Sequence, residues 1–194
     1  MRKLCLLLSV VMAFVLSFAG QLAAVSITYT ETALITGTCN DEDVINDPIT
    51  ISWTGDTDNV FCGQGGCTNP AGPGVVFVDV LHFGSGFLIN PTSVFVNQAD
   101  GNAGFVDDVL HTQIMMTINP GFATYDLRTP IQLSGPGLIT PNAIFPTTGG
   151  DLAIFSVTDP TFTATGGVPE PSSLLLLGSG VLGGLGFLRR RFLP

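Results

Sequence analysis

The stretch Val25-Ser-Ile-Thr-Tyr-Thr-Glu-Thr-Ala-Leu-Ile-Thr36 alternates apolar and polar residues with few faults. A period of two dries one face of a strand and wets the other, whereas a helix would scatter the same residues around its axis. Ile49 to Thr54 repeats the pattern. Val75–Leu81, Thr92–Asn97, Ala123–Leu127, Leu152–Thr158 and Thr161–Ala164 are further strand candidates. Turn residues punctuate the intervals: Gly55-Asp56, Gly72-Pro73-Gly74, Asn90-Pro91, Asn119-Pro120-Gly121, Gly135-Pro136-Gly137 and Asp159-Pro160. Many short strands with glycine and proline turns predict an all-β fold, an antiparallel β-sandwich of jelly-roll or Ig-like type. Only Asp107 to Met116 reads as a short helix. Phe77, Phe95, Phe105, Phe145 and Phe155 are expected to fill the core. Trp53, the sole tryptophan, is assigned to the core ahead of ligand stacking.

Both ends break this pattern. Arg2 and Lys3 precede an apolar stretch, Leu4 to Phe18, and small residues follow at Ala19-Gly20 and Ala23-Ala24. That order predicts a signal peptide over residues 1–24, cut by signal peptidase after Ala24, with a cut after Ser26 as the second choice. At the other end, Ser172 to Leu188 gives 17 residues without a charge. As a helix it would reach about 25 Å, slightly short of a bilayer core of about 30 Å. A backbone in lipid must satisfy its own hydrogen bonds, so residues 172–188 are expected to form a transmembrane helix despite five glycines. Arg189, Arg190 and Arg191 would stay on the cytoplasmic side.

Val168-Pro169-Glu170-Pro171, an apolar segment and a terminal arginine cluster follow one another in fixed order. This arrangement resembles the PEP-CTERM sorting signal of Gram-negative bacteria over about the last 27 residues. The resemblance implies that Pro169, Glu170 and Pro171 are recognised by a membrane protease-transpeptidase, the exosortase. It also implies that the apolar helix presents them and that Arg189, Arg190 and Arg191 fix its orientation. Genomes carrying the signal often make exopolysaccharide, which becomes a possible partner. The protein is then expected to cross the inner membrane, sit in it transiently, and end at the cell surface or outside.

Between the ends, charge excludes several function classes. Five of the six basic residues lie in the terminal segments, so residues 25–168 hold Arg128 against 14 acidic residues, a formal charge of −13. Nucleic acid and anionic lipid, which bind through lysine and arginine, are therefore not expected partners. Three cysteines remain in this part: Cys39, Cys62 and Cys67. In an oxidising compartment Cys62-Gly-Gln-Gly-Gly-Cys67 is the natural disulfide loop, leaving Cys39 free or paired with either of the others. Zinc lacks four ligands at compatible spacing.

No catalytic constellation emerges. His82 and His111 are the only histidines, and His111 follows Asp107-Asp108 as a weak acidic-histidine cluster. Gly84-Ser85-Gly86 lacks nucleophile-elbow spacing, and without lysine between residues 25 and 168 there is no phosphate loop there. Asn40–Asp43, Asp56–Asn59 and Asp100–Gly104 offer clustered oxygens for calcium, but solvated turns explain them as well. The expected organisation is a signal peptide at 1–24, a β-sandwich domain at 25–165 and a sorting signal at 166–194. The expected function is that of an exported structural or matrix-associated protein without catalysis or cofactor. The alternatives are a carbohydrate-binding or calcium-binding module, with Trp53 a candidate sugar contact, and a hydrolase whose residues converge only in space.

Overall fold

The computed structural model describes residues 25–141 and 143–166. Thirteen strands follow in order: β1 (Ser26–Cys39), β2 (Glu42–Asp56), β3 (Phe61–Gly63), β4 (Gly66–Ala71), β5 (Phe77–Val80) and β6 (Gly84–Phe87). After them come β7 (Thr92–Asn97), β8 (Asn102–Asp107), β9 (Thr112–Ile118), β10 (Ile131–Ser134), β11 (Gly137–Leu138), β12 (Ile144–Thr147) and β13 (Gly150–Gly166). They form two sheets in which every pairing is antiparallel. The first runs β10-β13-β1-β2-β5-β6, with β12 also pairing β13; the second runs β11-β9-β8-β7-β4-β3. Beyond β6 the first sheet curls back, because Leu88 bridges Thr147 and the Ile89 N–H donates to Pro146 O at 3.0 Å.

Alternation on β1 turns Ile27, Tyr29, Ala33 and Ile35 into a core shared with Val94, Val96 and Phe105 of the second sheet. Phe162 is its aromatic hub. Its ring lies 5.7 Å from Phe122 and 6.3 Å from both Tyr29 and Tyr125, centroid to centroid. Trp53 packs against this core and stacks on Tyr29 at 5.9 Å. Its indole also covers Gly55, where any Cβ would collide with the ring.

Several expected elements are replaced. Asp107–Met116 is a hairpin rather than a helix. Asp107 Oδ1 accepts the N–H groups of Val109 and Leu110 at 2.9 and 2.8 Å, and His111 takes φ 52°, which closes a turn before β9. Ala123–Leu127 is not a strand. Asn119 Oδ1 accepts the Gly121 N–H at 2.8 Å and starts a 3₁₀ turn over Pro120–Thr124, which inserts Phe122 into the core. Gly55-Asp56 belongs to β2, and the chain turns only at Thr57.

Asp159-Pro160 does not separate two strands but sits inside β13. Thr32 faces Thr161 and Leu34 faces Thr158, so these two residues oppose Ala33 alone as a bulge. A proline within a sheet fits there, since a bulge residue has no ladder bond to lose. A second irregularity, between Thr36/Ser156 and Gly37/Ile154, leaves Phe155 unpaired. Phe155 is accordingly half exposed rather than in the core. Phe105 and Phe145 are buried, while Phe77 and Phe95 lie half-buried on outward faces.

Candidate functional site

Ile27 faces both Gly55 and Gly166, so the chain enters and leaves the described body at one pole. The turns at 40–41, 81–83 and 148–149 lie at the opposite pole. Pro169, Glu170, Pro171, Arg189, Arg190 and Arg191 lie outside the described residues, as do the expected signal segment 1–24 and helix 172–188. Among the described residues no helix is long and apolar enough to cross a membrane.

At the entry pole Cys62 and Cys67 are joined by a disulfide across the β3–β4 hairpin. Arg128 braces the same hairpin, with Nη2 donating to Val60 O at 2.8 Å and Nη1 at 3.7 Å from Cys62 Sγ. Arg128 thus serves the backbone of one edge rather than pairing with an acid among the described residues. Cys39 has no disulfide partner among the described residues; burial first, and the Glu42 carboxylate second, push its thiol pKa up.

The remaining candidates do not converge. His82 Nδ1 meets Asp47 Oδ1 at 2.6 Å on the surface. His111 caps a hairpin tip, while Asp107 and Asp108 are engaged elsewhere, Asp108 Oδ2 accepting from Ser93 Oγ at 2.8 Å. Asp56 Oδ1 accepts the Asp58 N–H, and Asp100 Oδ2 accepts from Asn97 Nδ2 at 2.6 Å. The acidic turns therefore spend oxygens on their own loops. Among the described residues, no three His, Cys, Asp or Glu side chains gather as a metal site.

The C-terminal segment settles what the body alone does not: residues 167–191 match the family model of the PEP-CTERM protein-sorting motif. The chain carries a PEP-CTERM sorting motif. Gly166, the last residue of β13, abuts the sorting motif directly, so the motif leaves the body from the pole where the chain also enters. No curated protein and no solved structure matches the chain.

Two features of the body escape sequence reasoning. The first is Glu31, which occupies an inward position of β1 and is fully buried. One oxygen accepts from Thr117 Oγ1 at 3.0 Å and the other has no partner. Burial pushes its pKa up to about 8, and the Thr117 hydrogen bond offsets this only in part.

The second is the outward face of the first sheet. One row crosses it as Gln132, Thr163, Thr30, Ser52, Phe77 and Phe87 on six neighbouring strands. A parallel row places Ser134, Thr161, Thr32 and Thr50 side by side and continues into Asp79 and Ser85, and a third places Thr165, Thr28 and Thr54. Thr28 and Thr54 share a hydroxyl hydrogen bond at 2.7 Å, as do Ser134 and Thr161 at 2.8 Å. Phe77 and Phe87 meet edge to face at 5.5 Å, and Phe87 is 41% exposed. A signal for this face was present in the Thr-x-Thr spacing of residues 28–32 and 161–165, but strand register alone assembles it.

Proposed function

We propose that the chain is an exported structural or matrix-associated protein whose β-rich body is delivered by the exosortase route. In this reading signal peptidase removes residues 1–24, and residues 25–165 form a β-sandwich of jelly-roll or Ig-like kind. Helix 172–188 holds the precursor in the inner membrane until the exosortase acts at Pro169-Glu170-Pro171. Arg189, Arg190 and Arg191 keep the terminus on the cytoplasmic side. The body acts through its surface, without catalysis or cofactor, at the cell surface or outside the cell.

The match of residues 167–191 to the sorting motif carries the reading. The placement of both ends of the described body at one pole supports it, because a body joined to the membrane there leaves its faces and far pole open. The test is Pro169→Ala combined with Glu170→Ala in the producing cell. The double variant should accumulate as membrane-held precursor, while the unaltered protein is processed. Normal maturation of the variant would remove the proposal.

A carbohydrate-binding role is the second reading, favoured by one observation. A surface depression is lined by Ser52, Trp53, Thr54, Gly72, Val75 and Phe77, combining hydroxyls with aromatic rings.

A further inference from the structure

We infer that the outward face of β10-β13-β1-β2-β5-β6 is a docking surface for an uncharged polysaccharide chain lying across the strands. Between residues 25 and 168 the chain carries a formal charge of −13. Yet the row from Gln132 through Thr163, Thr30 and Ser52 to Phe77 and Phe87 holds no charged side chain. An acidic polymer is repelled by the body as a whole. A cationic one is drawn to the acidic turns at the sheet ends and to Asp79 in the neighbouring row, rather than to this row. An uncharged, hydroxyl-rich polymer is the ligand for which the charge distribution sets no barrier.

The chemistry of the row fits that occupant. Serine and threonine hydroxyls each donate and accept, as sugar hydroxyls do, so hydrogen bonds can form in either sense. Phe77 and Phe87 end the row with aromatic surface for the C–H faces of sugar rings, and the Ser52–Phe77 depression lies where hydroxyls give way to rings. Six strands at about 4.8 Å spacing make a track about 24 Å long, enough for several sugar rings. The face is also prearranged: the side chains stand on a paired sheet, and hydroxyl pairs such as Thr28–Thr54 already fix rotamers. The middle of this face has no free backbone edge, so a polypeptide strand could not add to it.

This inference rests on the matrix-associated reading for its destination only. Its test uses mature protein purified from producing cells, run through native gels containing dextran, galactomannan, β-1,3-glucan or alginate. At least one neutral polymer should retard migration, and alginate should not. Phe87→Ala and Ser52→Asp should each weaken retardation at least tenfold with unchanged thermal unfolding. Phe61→Ala, on the other sheet, should leave it intact. Absence of retardation by every neutral polymer, or equal retardation of all variants, overturns the inference. So does a change in sedimentation of Phe87→Ala without polymer, which would assign the face to contacts between copies. These variants keep the sorting motif, so a failure of sorting shows in where the protein is recovered, not in retardation.

Discussion

Glu31 stands where the alternation of β1 calls for an apolar side chain, and its surroundings offer no countercharge. Ile51 and Phe162 flank it on the neighbouring strands, and Thr117 of β9 gives the one hydrogen bond. A carboxylate there would lose its hydration without an ion pair, so the folded protein retains the proton. The consequence for stability has a definite sign. The folded pKa, about 8, lies above the ordinary 4.5. Between those values the unfolded chain releases a proton that the folded chain keeps, so stability falls as pH rises. The slope is about 1.4 kcal/mol per pH unit for one group. Denaturant unfolding from pH 5 to pH 8 should show this decline. In Glu31→Gln it should largely flatten, with the variant more stable than the parent at pH 8. An equally steep decline in Glu31→Gln would assign the effect to other carboxylates. The sequence shows Glu31 only as one polar letter inside a strand; the orphaned oxygen requires the second sheet.

At the scale of elements, alternation located β1 and the Ile49–Thr54 part of β2, where one face is wet. It failed where a bulge shifts the phase. In β9, Phe105 faces Met115 while Val106 faces Gln113, which leaves Ile114 extra and buries Ile114, Met115 and Met116 in succession. Such a run imitates a helix. The Asp159-Pro160 bulge in β13 imitates a turn by composition. Phe155, expected in the core as a large apolar side chain, is turned outward by a bulge. The β3–β4 hairpin yields a measurable expectation. Cys62 and Cys67 are five residues apart, so their cross-link restricts the unfolded chain only modestly. Replacing both by serine should lower unfolding free energy by about 2 kcal/mol without changing the fold. A loss several times larger would mean that the disulfide organises more than this edge. Phe162 is the opposite case. Its removal opens the aromatic hub, so Phe162→Ala should cost about 3–5 kcal/mol in the same measurement.

For the whole molecule, the sorting motif was legible in full because its parts are consecutive in the chain. The outward hydroxyl face was not, since it joins residues more than 100 positions apart, as in Thr30 beside Thr163. Between these lies the polarity of the body. Pairing of Ile27 with Gly166 brings the two ends of the described body to one pole, and no linear reading reveals that. In the proposed reading, a body attached there presents the hydroxyl-rich face sideways and the far turns outward. Delivery by the sorting motif is the central claim, and the intact mass of the protein recovered from the producing cell tests it most directly. The mass should correspond to a chain beginning near Val25 and processed at or near Pro169-Glu170-Pro171, found at the surface or in the medium. Recovery from the cytosol of a chain that keeps residues 1–24 and 172–194 would contradict it.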